Sequence, residues 1–258
     1  MIYDTSIYIS TYGERISSLK NFNFNYCFKY VVLWQSSNSL TNLVFLEREN
    51  IEIIILDTLG VTNSRNFAIN HCKTPWLWFM DDDVIIDYLI PNRLFSNINN
   101  DKKFSFIIFD YKNKFNRTGY FNNSSWLNKF INKIKILSVG TIQIVINCDY
   151  VRSHNIFFDT NMGAGSKYPV CDEPMFLSDL IRSSDLGYFV CKDVILNHPE
   201  YSSGLNFNTE EHILSRIIAY NYIFGFPLSI LFILNFYIKN IKHIKLRLLL
   251  CSIFKILN

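Results

Sequence analysis

Three consecutive aspartates follow an apolar segment of the chain. Asp81, Asp82 and Asp83 come directly after Trp76–Met80, a run that predicts a buried strand. Up to three negative charges at one strand end repel one another unless a cation neutralises them. Carboxylate oxygens suit Mg²⁺ or Mn²⁺, which commonly bind substrate phosphates as well. The cluster therefore indicates either a divalent-metal site or a solvated acidic turn that caps the next helix.

A predicted helix begins near Gly60, just before that strand. The backbone N–H groups at such a helix start favour a phosphate. Arg65 lies in the first turns, within reach of a nucleotide. A metal-binding acid cluster beside an anion-binding helix start is what a nucleoside diphosphate requires. The alternative for Arg65 is an ordinary surface ion pair.

Strand and helix alternate over the first 83 residues, and these elements position the residues above. The predicted strands are 4–11, 28–35, 51–57 and 76–80, and the predicted helices are 40–49 and 63–71. This order predicts α/β architecture, with βαβ units, a mainly parallel sheet and helices on both faces. Ligands bind at the carboxyl ends of the strands in such sheets. The polar residues at those ends are Thr11, Gln35, Asp57 and Asp81.

The second half of the chain is less regular. Its predicted strands are 104–110, 134–147 and 188–196, its predicted helices are 172–186 and 209–219, and its predicted loops are 111–130 and 161–166. Asp172, Glu173 and Pro174 suit a helix N-terminus by charge and by backbone geometry.

Composition separates a body from a basic tail. The chain has 258 residues, of which 49% are hydrophobic and only 18% charged, so wholesale disorder is excluded. Residues 239–258 hold five basic residues and no acid, which leaves 20 basic against 22 acidic residues, a net charge of about −2, for the rest. Such a body does not predict nucleic-acid binding. A basic segment next to an apolar one favours binding to anionic lipid.

The segment 220–238 has no charged residue and meets the length of a membrane span. A single span would export the basic tail, against the positive-inside tendency, whereas an in-plane helix keeps body and tail on one side. Membrane-surface attachment, a buried helix and a true span all stay open, and attachment is favoured. No leader pattern is visible and the six cysteines are scattered, so we expect a cytoplasmic protein attached peripherally to the inner face of the membrane.

The order of these motifs resembles family-2 glycosyltransferases with the GT-A fold. The matching features are a Thr11-Tyr12 turn after the first strand, the Gly60…Arg65-Asn66 helix start and the aromatic strand ending in Asp81-Asp82-Asp83. The similarity covers residues 4 to about 205. It implies a nucleotide-sugar donor, with a UDP-sugar favoured, and a Mn²⁺ or Mg²⁺ cofactor.

The resemblance also implies roles for the donor-side residues. Thr11 and Tyr12 would line the nucleobase pocket, and Arg65 would contact the base or the phosphates. Asp81 and Asp82 would bind the donor, Asp81 through the ribose or a metal-bound water, and Asp83 would ligate the metal. The family often has an acidic residue after the second strand that reads the base. Gln35-Ser36-Ser37-Asn38 stands there in this chain, and Asp57 is the candidate to compensate.

On the acceptor side, the loop with Gly163 and Gly165 and the acid pair that follows it resemble the family's glycine loop and catalytic pair. By register, Glu173 matches the base that removes the acceptor hydroxyl proton, and Asp172 its partner. His198 resembles a late histidine aimed at the metal or pyrophosphate, with a structural role as the alternative.

These inferences predict a GT-A catalytic domain over 1–208, with a nucleotide-binding half (1–100) and an acceptor half (101–208), followed by a helical membrane-associating tail (209–258). The predicted activity is inverting transfer of a sugar to a hydroxyl of a glycan or lipid-linked glycan in cell-envelope polysaccharide synthesis. Two alternatives are a phosphatase of the haloacid-dehalogenase type and a non-catalytic membrane-associated binding protein.

Overall fold

Eight strands form one central sheet. The computed structural model describes residues 4–36, 42–89, 91, 104–110, 115, 118–183, 186–192, 195–197, 209–242 and 244. The strands are β1 (Thr5–Tyr12), β2 (Lys29–Gln35), β3 (Ile51–Leu56), β4 (Trp76–Asp81), β5 (Ile85–Ile86), β6 (Phe104–Asp110), β7 (Gly119–Phe121), β8 (Ile144–Asn147), β9 (Gly187–Lys192) and β10 (Ile195–Asn197). Their order in the sheet is β3-β2-β1-β4-β8-β6-β9-β7, and β5 pairs with β10 in a separate antiparallel ribbon.

The first half of the sheet is parallel, as the sequence predicts. β1 pairs in parallel with both β2 and β4, and β2 pairs in parallel with β3. β8 runs antiparallel to β4 and to β6, so the sheet is mixed in its second half. The predicted mainly parallel α/β fold is confirmed.

The α-helices pack on the sheet and on one another. They are α1 (Val61–His71), α2 (Trp126–Lys135), α3 (Cys148–Ser153), α4 (Asp172–Ser183), α5 (Glu210–Phe224) and α6 (Leu228–Lys239). α5 packs on α4, and α6 packs on α5.

Alternate residues of the central strands enter two different core layers. In β4, Leu77 and Phe79 belong to the layer on one face, whereas Trp76, Trp78 and Met80 belong to the layer on the other. Because both faces are buried, the strand is apolar throughout until Asp81, where it leaves the sheet at its carboxyl edge. The double burial therefore fixes where the three aspartates emerge.

Several predicted elements are wrong. Within the described part of 40–49 there is only a 3-10 turn, Val44–Leu46, because Asn42 Oδ1 accepts a hydrogen bond from the Val44 amide and offers the backbone an alternative to a helix. The predicted loop 111–130 contains β7 and the start of α2, whose first turn is capped by Ser125 Oγ accepting from the Asn128 amide.

The predicted strand 134–147 is also too long. β8 covers only Ile144–Asn147, and two 3-10 turns, Ile136–Ser138 and Thr141–Gln143, precede it. The Gly140 amide donates to Gln143 Oε1, which closes the second turn locally instead of pairing with a strand.

The uncharged segment 220–238 is not one helix. α5 ends at Phe224, Gly225 follows with a φ of 71°, and α6 begins after Pro227. In the described part of the chain, every helix is too short or too polar to cross a bilayer.

Candidate active site

A cavity of about 970 Å³ opens at the carboxyl edge of the parallel strands. The residues around it come from β1, β4, α1, α4, α5 and the loops between them. The predicted site residues that line it are Thr11, Tyr12, Arg65, Asp81, Asp82, Asp83, Gly165, Asp172 and Glu173. The topology therefore brings together residues that are up to 162 positions apart, from Thr11 to Glu173.

The middle aspartate of the cluster is held inside the protein. Asp82 is 2% exposed, and its Oδ2 accepts a hydrogen bond of 2.6 Å from Thr11 Oγ1. Arg15 Nη2 lies 2.5 Å from Asp82 Oδ1 and 3.1 Å from Asp83 Oδ2. Asp82 thus anchors β1 to the end of β4, and Asp83 is the member of the cluster with a third of its side chain exposed.

Asp81 is held in an unfavourable electrostatic environment. Burial raises the pKa of Asp81 to about 6, and Asp83, Glu173 and Asp82 add to this effect while Arg65 opposes it. A carboxylate that is destabilised by its acidic neighbours is stabilised by any cation placed between them.

Across the cavity, one arginine binds two acids. Arg65 is 5% exposed. Its Nη1 donates to Asp172 Oδ2 and, at 3.3 Å, to Glu173 Oε1. Its Nη2 donates to Thr141 Oγ1, and that hydroxyl donates to Glu173 Oε1. Arg65 also lies over the ring of Phe158, 5.4 Å from its centroid.

This network separates the protonation states of the two acids. Burial, with Glu173 nearby, raises the pKa of Asp172 to about 8 although Arg65 opposes the shift. For Glu173, burial alone would raise the pKa, but Arg65 and the hydrogen bonds from Thr141 and from the backbone outweigh it, so its pKa is lowered. Of the two acids, Asp172 therefore holds a proton more readily, and Glu173 is the one that favours the ionised form.

The glycine loop closes onto the start of α1. Val61 N donates to Ala164 O at 3.0 Å, and Thr62 Oγ1 donates to Met162 O at 3.0 Å. The predicted free amide at the helix start is thus wrong for Val61, since the loop's carbonyl takes its N–H. Gly163 has a φ of 90°, and a Cβ there would lie 3.0 Å from Asp172 Cγ. Gly165 faces the cavity, whereas Gly163 lies behind Asp172.

Among the described residues, Asp57 and Gly163 are the predicted site residues that do not line the cavity. Asp57 is not among the residues that line the cavity, and Gln35 lines it instead, with Nε2 donating to Thr58 O at 2.6 Å and to Gly60 O at 3.1 Å. His198 lies outside the described residues.

The residues of the cavity wall that sequence reasoning missed include Arg15, Thr141, Arg216 and Tyr220. Arg15 lies in the 3-10 helix Gly13–Asn21, which follows directly after β1. Thr141 was hidden in a predicted strand, and Arg216 and Tyr220 in a segment assigned to the tail. α5 therefore belongs to the wall of the site.

The donor set suits a divalent cation that a ligand helps to hold. Among the described residues, no group of three or more His, Cys, Asp or Glu side chains converges as a protein-only metal site would require. Asp81 and Asp83 supply two carboxylates beside an open cavity. Mg²⁺ is usually bound in this way, through one or two carboxylates with phosphate oxygens and water completing its shell.

Comparisons with known proteins agree with the architecture. The profile of the family described as "Glycosyl transferase family 2" matches residues 37–153. No curated protein matches the chain significantly in sequence.

Solved glycosyltransferases share the fold. S. aureus TarS 1-349 is 16% identical with a TM-score of 0.59, over 85% of this chain and 65% of that one. The same fragment in complex with UDP-GlcNAc is 15% identical with a TM-score of 0.60, and the match covers 85% of this chain and 66% of that one. The mannosyltransferase PcManGT from Pyrobaculum calidifontis, in complex with GDP-Man and Mn²⁺, is 10% identical with a TM-score of 0.55. The match covers 84% of this chain and 63% of that one. The chain thus spans slightly less than two thirds of the length of these proteins.

The fold is GT-A, a mixed and mainly parallel sheet flanked by helices. Within it, the match of residues 37–153 to the family described as "Glycosyl transferase family 2" agrees with the resemblance predicted from the sequence. The match favours that prediction over the phosphatase alternative.

Proposed function

We propose that this chain is an inverting, metal-dependent glycosyltransferase that moves a sugar from a nucleoside diphosphate to a hydroxyl of a glycan or lipid-linked glycan. One observation carries the proposal. Asp81 and Asp83 line the same cavity as Asp172, Glu173 and Arg65, so carboxylates suited to a metal-bound diphosphate and a carboxylate suited to accept a proton share one space.

The donor would occupy the side formed by β1 and β4. Tyr12 is 55% exposed and lines the cavity, so its ring is available to stack on a nucleobase. A Mn²⁺ or Mg²⁺ ion, held by Asp81 and Asp83, would neutralise charge on the departing diphosphate. That TarS is known in complex with UDP-GlcNAc and with UDP favours a UDP-sugar.

Glu173 would be the base. In an inverting transfer, a carboxylate accepts the proton of the acceptor hydroxyl as its oxygen attacks the anomeric carbon. The pKa of Glu173 is lowered and 19% of its side chain is exposed, whereas the pKa of Asp172 is raised and its side chain is almost fully buried. Arg65 and Thr141 would hold Glu173 in position rather than contact the donor.

We further propose that the protein works at the inner face of the membrane, in envelope polysaccharide synthesis. The C-terminal helix α6 exposes apolar side chains such as Leu231 (63%) and Ile238 (67%), and residues 239–258 are basic. Residues 1–208 would then be the catalytic domain and 209–258 the attachment segment, with α5 shared between them.

The test is calorimetric binding of UDP, GDP, CDP and dTDP with and without Mn²⁺. We expect one of these nucleoside diphosphates to bind, and its binding to require the metal. Asp83→Asn should abolish that binding. Asp149→Asn, which changes an acid with an 83% exposed side chain on α3, is the matched control and should bind normally. Failure of every diphosphate to bind to folded protein would contradict the proposal.

A further inference from the structure

The helix α2 presents large apolar side chains to solvent. Trp126 is 73% exposed, Leu127 56% and Ile134 41%. The helix carries three lysines and no acid. Apolar side chains mixed with lysines on an exposed helix, with a tryptophan at its end, are typical of helices that lie in a membrane interface.

The helix α6 has an exposed apolar stripe of its own. Leu231, Leu234 and Ile238 recur at intervals of three and four residues and therefore share one side of the helix. Ile233 and Phe236, on the other side, pack onto α5. A helix that is apolar on both sides is stable only where its outer side is covered.

An aromatic row joins the two helices. The rings of Trp126 and Phe130 are stacked with centroids 5.6 Å apart, and Phe130 contacts Phe224 at 6.0 Å. Phe224 stacks on Phe232 of α6 at 3.8 Å. In addition, Lys133 Nζ donates to Ile223 O at 3.1 Å. The exposed side chains of α2 and α6 thus belong to one connected surface, which we call the α2–α6 surface.

The α2–α6 surface adjoins the cavity. Leu137 and Ser138, which follow directly after α2, line the cavity. Tyr220 lines it as well, and its ring lies 6.1 Å from that of Phe232.

We propose that the α2–α6 surface binds the surface of a bilayer that contains anionic phospholipid, with Trp126 inserted at the headgroup level. This inference rests on the proposed membrane attachment and extends it from the C-terminal segment to α2. Charge selects the occupant: the surface carries the lysines of α2 together with Lys239 and Lys242, and the helices α2 and α6 contain no acid. A second copy would bring the same positive charge against itself, whereas anionic headgroups complement it. An acceptor anchored in that bilayer would be presented to the adjoining cavity.

The tryptophans of this chain make a direct test possible. Trp34, Trp76 and Trp78 are buried at 3%, 3% and 0% exposure, so Trp126 is the one in contact with solvent. The full chain is mixed with phosphatidylcholine vesicles with or without phosphatidylglycerol. With phosphatidylglycerol, we expect the emission to shift to shorter wavelength, acrylamide quenching to fall, and brominated lipid to quench the signal.

Variants separate the contributions of the two helices. Trp126→Ser/Leu127→Ser should weaken vesicle binding by about tenfold to a hundredfold, because two large apolar side chains no longer leave water. Trp126→Phe should retain binding. Lys239→Gln/Lys242→Gln should reduce the preference for phosphatidylglycerol by about fivefold per lysine. Tyr26→Ser, which removes a 68% exposed aromatic from the turn before β2, is the control and should bind as the unaltered protein does.

Three outcomes would overturn the inference. If the protein binds vesicles but acrylamide still quenches Trp126, the helix α2 does not contact the bilayer. Attachment would then depend on the C-terminal segment (209–258) alone. Absence of vesicle binding would remove lipid as the partner, while UDP calorimetry on the same sample reports separately on the donor site. Concentration-dependent association that protects Trp126 without lipid would assign the surface to a second copy of the chain.

Discussion

Arg65 and Asp172 form a buried ion pair that joins the two halves of the chain in the wall of the cavity. Arg65 lies on α1 and Asp172 begins α4, 107 residues later, and their exposures are 5% and 3%. The same guanidinium also binds Glu173. One cation therefore offsets two acids in a poorly solvated place, and the geometry of the proposed base depends on it.

Removing that cation should be costly for stability. We expect Arg65→Met to lower the free energy of unfolding by about 3–5 kcal/mol, since it leaves buried acids without their charge partner. Arg65→Lys keeps the charge but loses the forked contact with Thr141, so its loss should be smaller. Urea unfolding measures both. Adding Asp172→Asn to Arg65→Met should recover part of the loss, and a loss below about 1 kcal/mol in Arg65→Met would contradict the structure.

The same pair predicts how stability depends on pH. The folded-state pKa of Asp172, about 8, lies above its ordinary value of 3.8, so the folded protein holds this proton more tightly than the unfolded chain. The tighter proton binding therefore adds to the free energy of unfolding. This contribution is complete below about pH 4 and is lost as the pH rises towards 8. The pKa of Asp81 is raised from 3.8 to about 6, so a similar loss of stability is expected as the pH rises over that interval.

Urea unfolding over this range of pH checks the prediction. The free energy of unfolding should decline less steeply with pH in Asp172→Asn, because its amide does not titrate. In the control Asp149→Asn, the free energy of unfolding should decline with pH as it does in the unaltered protein. Equal slopes in all three proteins would show that Asp172 titrates normally.

The sequence predicts the parallel half of the fold well because β1, β2 and β4 are buried on both faces. β1 to β4 are rich in β-branched and aromatic residues, and the predicted limits lie within one residue of the observed ones. The sequence does contain a signal for α2, since Trp126, Phe130 and Ile134 recur every four residues as in an amphipathic helix, but the prediction of a loop overlooks it. The apolar side of α2 is exposed instead of buried in the core. Gly225 and Pro227 make 220–238 a poor candidate for one continuous span, and the chain does break there.

For the site, residue types at strand ends were predictable and their mutual contacts were not. The cluster Asp81–Asp83 and the pair Asp172-Glu173 were found from local sequence. That Asp82 is turned inward to Thr11 and Arg15, or that Arg65 faces Asp172, depends on side-chain packing across 67 to 107 residues of chain. Local patterns contain no information on such pairings.

The two acids of α4 should differ in their effect on the proposed transfer. We expect Glu173→Gln to lower kcat by about 10²–10⁴ with little change in UDP binding, since the variant loses the group that accepts the acceptor proton. Asp172→Asn should cost less, because Asp172 is almost fully buried and, with its raised pKa, accepts a proton from the acceptor less readily than the partly exposed Glu173. Turnover of the nucleotide sugar and UDP calorimetry separate the two effects. A larger loss in Asp172→Asn would assign the base to Asp172.

Arg15 should compete with a cation at the aspartate cluster. Its Nη2 lies 3.1 Å from Asp83 Oδ2, the exposed carboxylate proposed to bind metal. Arg15→Gln should therefore tighten Mn²⁺ binding to the nucleotide-free protein by about two- to fivefold, a modest effect because Arg15 is largely exposed. Calorimetry with Mn²⁺ measures this, and the gain should shrink at high salt. Arg48→Gln, on a cation that contacts Phe24 away from the cavity, is the control. Weaker Mn²⁺ binding in Arg15→Gln would mean that Arg15 helps to hold the metal site together.

Gly163 should tolerate no side chain because of what lies next to it. An added Cβ would be 2.9 Å from Val61 Cγ1 and 3.0 Å from both Asp172 Cγ and Thr62 Cγ2, and the φ of 90° is itself unfavourable for alanine. Gly225→Ala is the matched control, since its φ is 71° and no atom lies within 4 Å of the added Cβ. Both variants bear the backbone strain of about 1–3 kcal/mol, but only Gly163→Ala also displaces Asp172. We expect Gly163→Ala to lose more stability in urea and to alter the pH dependence that Asp172 sets, whereas Gly225→Ala leaves that dependence unchanged. Equal losses with unchanged pH dependence would mean that the glycine loop yields, and that Asp172 is positioned by Arg65 alone.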